Sequence, residues 1–305
     1  MRAALFVALA IFTVGYIAVW VRYATRATER PGMPSWIDYA IGFVTNFFDA
    51  LGIGSFATTT ALFRWFKVVP DEKIPGTLNA GATIPGILEA FIFIAVVDVD
   101  VTTLTLMVAA SVVGAFLGAG AVSRWPRRKI QIGMGIALLV TAFFGLLTLL
   151  HLLPGGGELL GLQGSKLALA VAANALLGAL MTLGIGLFGP CMMVTYLLGM
   201  SPRAVFPIMM GSVAFLGPVA SVPFIKRGSY SLKTAVGLTL GGIPGILLAA
   251  FLVKSLPPAG LRWLVVMVVI YTAVMMLRSA AMERSGSSPG PQPAAELNPA
   301  QSLTE

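Results

Sequence analysis

Apolar residues run in blocks too long for soluble helices, and polar residues are confined to the gaps between them. The first block, Ala3–Val21, holds 19 residues without a charge and is flanked by Arg2 and by Arg22, Arg26 and Arg30. A secretory signal core has only about 7–15 apolar residues, so the pattern predicts a retained transmembrane helix. After a linker at Glu29–Ser35 come Trp36–Phe66, Pro75–Val97, Thr102–Val122, Ile130–Leu153, Leu167–Leu198, Pro202–Phe224, Thr234–Val253 and Leu261–Leu277. The expected fold class is an all-α polytopic membrane protein. The last stretch, about Ser285–Glu305, is rich in Pro, Ser, Ala, Gly and Gln, which predicts a disordered cytoplasmic tail.

Two blocks are longer than one span needs. Trp36–Phe66 is interrupted at Gly52-Ile53-Gly54-Ser55, and Leu167–Leu198 at Gly184-Ile185-Gly186, with Gly189-Pro190 just after. A half-block of about 12 residues reaches roughly 18 Å as a helix, past the middle of a hydrocarbon layer about 30 Å thick but not across it. Each is therefore a broken, tilted span or a re-entrant hairpin with its tip near the midplane.

The two interrupted blocks also match each other. Leu51-Gly52-Ile53-Gly54 and Leu183-Gly184-Ile185-Gly186 lie 132 positions apart, and the same offset takes Pro70 to Pro202 and Pro75 to Pro207. Further on, Gly114-Ala115-Phe116-Leu117-Gly118 faces Gly241-Gly242-Ile243-Pro244-Gly245 at offset 127. Each copy reads as one interrupted segment followed by three plain helices, a common construction among transporters. The predicted organisation is an N-terminal helix and linker (1–35), repeat 1 (36–153), a linker (154–166), repeat 2 (167–278) and a tail (279–305).

Charge separates the two topologies. If every segment spans, the Lys and Arg residues divide nine against eleven between the two sides. If both interrupted segments fold back, fifteen collect on one side and five on the other. The positive-inside rule favours the second arrangement. It predicts seven transmembrane helices plus two re-entrant broken-helix hairpins, with the N-terminus outside and the C-terminus cytoplasmic. Three spans between the copies, an odd number, make the repeats inverted in topology, with the hairpin tips able to meet near the midplane.

Composition narrows the function. With 57% hydrophobic and 10% charged residues, the chain cannot present a soluble charged surface. The net charge of +8 belongs to cytoplasmic loops rather than to nucleic-acid binding. A single Cys191 and a single His151 leave no intrachain disulfide, CxxC or two-His metal site. No GxxxxGK[ST] is present, and Ser55 has no histidine in its segment, so neither ATP hydrolysis nor an intramembrane Ser–His hydrolase is expected. The expected role is therefore not enzymatic, with no cofactor and no metal.

A helix broken inside the bilayer leaves backbone N–H groups free, and helix N-termini carry partial positive charge, which suits an anion. Half-helices starting near Ser55 and Gly189 would present such ends at both tips, and no basic residue lies in the middle of any span. The substrate-binding candidates are Gly52, Gly54, Ser55, Thr58, Asn79, Gly184, Gly186, Gly189 and Ser212. Thr59 and Thr60 follow Thr58, and Thr83 shares a proline-bounded segment with Asn79. Small and hydroxyl residues also serve simply as helix contacts in membranes. Asp49 and Glu89 are the charges farthest from any helix end, and so are candidates for carrying a coupling proton.

The Gly-X-Gly break after an apolar half-helix, the polar start of the next half-helix and the duplicated copy resemble the TauE/SafE sulfite exporter family, over about Ile37–Leu277. The Gly-Gly-Gly run frequent in that family is reduced here to Gly52-Ile53-Gly54-Ser55 and Gly184-Ile185-Gly186-Leu187. The resemblance implies a secondary transporter of small sulfur-containing anions, sulfite or organosulfonates, in a bacterial cytoplasmic (inner) membrane. Its partners would be the anion and the lipid bilayer, with no nucleic acid; a homo-oligomer is compatible with this reading. An anion channel on the same scaffold, or a transporter of another small solute, is the alternative.

Overall fold

The structure, a computed structural model, describes residues 2–25, 32–52, 54–122, 157–181 and 187–255, together with separate positions between 132 and 150 and between 260 and 281. Those residues form α1 (Arg2–Ala24), α2 (Trp36–Ala50), α3 (Phe56–Phe66), α4 (Ile74–Val96), α5 (Val101–Val122), α6 (Gly164–Met181), α7 (Phe188–Leu197), α8 (Pro202–Arg227) and α9 (Leu232–Ser255). No strand occurs among the described residues; the one extended feature is an isolated bridge between Leu159 and Met200. Five of the helices, α1, α4, α6, α8 and α9, are long and apolar enough to cross a membrane. The predicted tail lies outside the described residues.

The predicted segments fall close to the observed helices, and local chemistry sets their ends. α2 begins in a capping box: the Ser35 Oγ accepts from the Asp38 N–H (3.3 Å), and the Asp38 carboxylate accepts from the Ser35 N–H (2.7 Å). α3 closes on Lys67 at φ 51°, and α8 on Gly228 at φ 66°, both left-handed. Inside α4, Pro85 has no N–H, which frees the Gly81 carbonyl; the Thr239 hydroxyl of α9 donates to it (2.9 Å).

Glycines set how closely the helices approach. A Cβ on Gly42 of α2 would stand 2.5 Å from the Leu238 carbonyl of α9, and one on Gly241 of α9 would collide with the Tyr39 carbonyl of α2. The same relation recurs between α5 and α6, where Gly114 meets the Ala175 carbonyl and Gly178 the Ser111 carbonyl. Gly114 and Gly241 are the two positions matched at offset 127 in the sequence. The pairs α2 with α9 and α6 with α5 are thus the same contact made twice. Between them α4 packs along α8.

Helix directions follow from these contacts. Along α4 and α8 the order reverses: Gly76 lies against Phe224, Thr83 against Ser221 and Phe93 against Phe206. Along α4 and α9 it does not, since Thr77 meets Ser231 and Gly81 meets Leu238. α2 also runs alongside α9 in the same sense, from Asp38 near Gly237 to Asn46 near Gly242. α2 and α4 therefore both start at the end that holds the α8–α9 turn. At the opposite end, the Asp100 N–H donates to the Leu160 carbonyl (2.8 Å) and the Ser201 N–H to the Leu159 carbonyl (2.8 Å). The starts of α5, α6 and α8 are gathered there. The Arg2 guanidinium reaches the Val99 carbonyl at that same end (3.2 Å), while the Trp20 indole N–H donates to the Tyr230 hydroxyl at the first (3.2 Å).

Candidate functional site

The first break follows from two glycines. Gly52 has φ +89° and Gly54 φ +85°, conformations that ordinary L-residues rarely adopt, so α2 cannot continue through them. The Gly52 N–H turns back to donate to the Asp49 carbonyl (2.7 Å). α3 restarts at Phe56 after Ser55, whose side chain makes no capping bond to the first turn. The break thus joins the negative C-terminal end of α2 to the positive N-terminal end of α3.

Tertiary packing brings this break to the start of α7. A Cβ on Gly54 would meet one neighbour within 4 Å, the Phe188 ring at 4.0 Å. One on Gly52 would meet Met192 Cε at 3.4 Å, with Phe206 and Met209 of α8 each at 3.8 Å. Phe188 is the first residue of α7, and Leu187 before it gives no side-chain cap. Gly189 is buried in that first turn. Neither of these two helix starts carries a side-chain cap. Gly184 and Gly186 lie outside the described residues.

A polar cluster stands on the other side of the break. Asp49, in the last turn of α2, faces the hydroxyl and amide of Ser55 across the turn and acts electrostatically on Glu89 of α4. Glu89 is 1% exposed, and neither of its carboxylate oxygens has a hydrogen-bond partner among the described residues. The Ser55 and Thr59 hydroxyls, buried at 2% and 1%, complete no hydrogen bond of ordinary geometry either. Asn46, one turn before Asp49, packs beside Gly242 and gives its amide N–H to the Gly42 carbonyl (2.8 Å), leaving its own Oδ1 without a partner. Buried polar groups are normally hydrogen-bonded, so the unpartnered oxygens of Glu89, Ser55, Thr59 and Asn46 are unusual for a protein interior.

The remaining expected residues are dispersed. The Thr58 hydroxyl donates to the Ser55 carbonyl (2.9 Å). Asn79 lies nearer the start of α4, where its amide donates to the Pro75 carbonyl (2.8 Å) and its carbonyl accepts from Thr83 (2.7 Å) and Ser221 (3.0 Å). Ser212 is buried against α6, accepting from the Asn174 amide (3.2 Å). A surface hollow lined by Arg64, Lys67, Val69 and Pro70 sits at the far end of α3 from the break. Sequence reasoning passed over Asn46 and Asn174. The available signal was an amide in the middle of an apolar segment, which the bilayer tolerates only with a partner.

The family profile for the sulfite exporter TauE/SafE matches residues 2–145 and 164–302. The chain belongs to that family. Neither a curated protein nor a solved structure matches it. As a TauE/SafE member with five spanning-length apolar helices it is a multi-pass membrane protein of a transporter family. The family match covers both breaks, the polar cluster around Asp49 and Glu89, and every described helix.

Proposed function

We propose that this TauE/SafE protein is a secondary transporter that exports a small sulfur-containing anion, sulfite or an organosulfonate, across a bacterial cytoplasmic membrane. The anion is held near the midplane between the two glycine-containing breaks. One observation carries this reading: Gly54, at the N-terminal end of α3, lies against Phe188, the first residue of α7. Two positive helix ends aimed at one place favour an anion without a buried lysine or arginine. Gly52, Gly54 and Ser55 form one side of this site. Gly189 at the start of α7 forms the other, the side to which the sequence repeat also assigns Gly184 and Gly186, and Thr58 lies in the first turn of α3.

In this reading α2–α3 and α6–α7 are re-entrant hairpins that enter from opposite faces, and seven helices cross the bilayer. Support comes from the common starting end of α2 and α4 and from that of α6 and α8. Antiparallel α4 and α8, matched positions in the two copies, support an inverted repeat. The α2–α4 end carries Arg22, Lys67, Lys73, Lys226, Arg227 and Lys233 beside Asp38, Asp71 and Glu72, while the other carries Arg2, Lys166 and Arg203 beside Asp98, Asp100 and Glu158. The first end is therefore cytoplasmic by the positive-inside rule, with the N-terminus outside and the C-terminus inside. Asp49 and Glu89 couple anion movement to a cation gradient, because ionised carboxylates beside the site repel an anion unless positive charge joins them.

The test is sulfite counterflow in proteoliposomes. Uptake of labelled sulfite accelerated by unlabelled sulfite inside is the expected result. Flux that neither saturates nor responds to internal sulfite would make the protein a channel and sink the transporter reading.

A further inference from the structure

We infer that the oxygens around the first break form a sodium-ion site, built by Asp49, Glu89, Ser55, Thr59 and Asn46 and independent of which anion the protein moves. The cluster is more than two acids. Ser55 and Thr59 are each at least nine-tenths buried, and their hydroxyl oxygens are unpartnered. Ser55 is directed at Asp49, and Thr59 follows one turn along α3, its N–H donating to the Ser55 carbonyl (2.8 Å). Asn46 and Pro85, which lies one turn before Glu89 on α4, both pack against Gly242, and Asn46 shares a face of α2 with Asp49 while its own Oδ1 has no partner among the described residues. Three elements thus carry five buried oxygen-bearing side chains around the first break, and at least one oxygen on each of Asn46, Ser55, Thr59 and Glu89 has no hydrogen-bond partner among the described residues.

The chemistry of the set selects the ion. Asp49 and Glu89 are both buried acids beside the break, and burying two carboxylates is costly unless a cation joins them. The negative end of α2 points at the same spot, and half-helix C-termini at membrane helix breaks are where sodium is coordinated. All the ligands are hard oxygens, which exclude soft metals. No third Asp or Glu, and no His or Cys, joins them among the described residues, so a transition metal has no ligand set here. Three of the five ligands are neutral, and magnesium would have to give up tightly held water to enter a buried site. Sodium, a monovalent ion that sheds its water more readily, fits this mixture of neutral and anionic oxygens. With sodium bound, the repulsion met by an anion at the neighbouring helix N-termini falls, so the two ligands reinforce each other.

The experiment uses the purified full-length protein without sulfite. Sodium chloride is exchanged for choline, potassium, magnesium or calcium chloride at constant ionic strength near neutral pH, with melting temperature and radioactive sodium binding as readouts. A saturable stabilisation specific to sodium is expected, with Glu89→Gln abolishing it and Ser55→Ala, Thr59→Val and Asn46→Leu each weakening sodium binding by about tenfold or more. Glu89→Gln preserves shape and removes a buried charge, so it should fold; if it melts early, Thr59→Val provides the same comparison. Equal stabilisation by choline or potassium overturns the site. So does stabilisation by calcium or magnesium alone, or a melting temperature that follows pH with no sodium step, which would make the ligand a proton. Wild-type sodium affinity in Glu89→Gln also overturns it. Sulfite counterflow on the same preparations keeps the two readings apart: lost counterflow with intact sodium binding counts against the anion site, and the reverse against this one.

Discussion

Replacing Gly54 with valine separates a binding role from a packing role. Its φ of +85° penalises any L-residue, by about 1–2 kcal/mol for the left-handed backbone and more for a β-branched side chain. Space is not the obstacle, because the nearest atom to a new Cβ is the Phe188 ring carbon at 4.0 Å. The added methyl groups would occupy the gap in front of the α3 and α7 N-termini. An anion there gains about 0.3–1 kcal/mol from each helix end, and about 1.5–3 kcal/mol from a backbone N–H bonded to its charge. Losing most of this amounts to about 2–4 kcal/mol, or about 30- to 700-fold in affinity. The contrast is Gly42→Ala, whose Cβ would stand 2.5 Å from the Leu238 carbonyl and force α2 away from α9. That variant should melt lower and bind sulfite normally in whatever folds. Calorimetric titration of sulfite and melting temperature, measured on the same purified variants, give both quantities. Sulfite affinity within about threefold of wild type in a well-folded Gly54→Val protein would refute the assignment of this break to the anion site.

In a Cys191→Ala background, Glu72→Cys should stay unlabelled by an impermeant thiol reagent applied outside, while Leu160→Cys should react; the reverse pattern would overturn the re-entrant first hairpin and the orientation. Asp49→Asn should abolish gradient-driven accumulation and leave sulfite counterflow largely intact, and equal loss of both would make Asp49 a structural residue. The Asp100 carboxylate caps α5, accepting from the Thr103 N–H and hydroxyl, each at 2.7 Å, and these bonds hold its pKa below the usual carboxylate value. Asp100→Ala should cost about 0.5–2 kcal/mol of stability. Because the folded pKa is the lower one, the cap is fully present above the unfolded value of about 3.9 and is lost as pH falls through the folded value. The gap in melting temperature between wild type and Asp100→Ala should therefore close in acid, and a gap independent of pH would show that the carboxylate charge is not what caps the helix.

The apolar blocks placed α1, α2–α3, α4, α5, α6–α7, α8 and α9 to within a few residues, because a helix in lipid must satisfy its own backbone and its length must match the bilayer. The glycines that interrupt α2–α3 were equally legible, since a positive φ is a local property that glycine alone adopts freely. Direction was reached only indirectly, by counting lysine and arginine on each side. The tertiary contacts speak to it directly, because antiparallel α4 and α8 bring Gly76 to Phe224 and Phe93 to Phe206, pairings that no local pattern encodes. The polar cluster was the least visible. Asp49 and Glu89 stood out one at a time as charges in apolar runs, but they are forty residues apart in the chain. Only the shared direction of α2 and α4, read from their contacts with α9, relates the two. Whether an oxygen in a membrane helix is bonded to its own backbone, as in Thr45, or left free, as in Thr59, depends on which neighbours arrive, and those neighbours come from other parts of the chain.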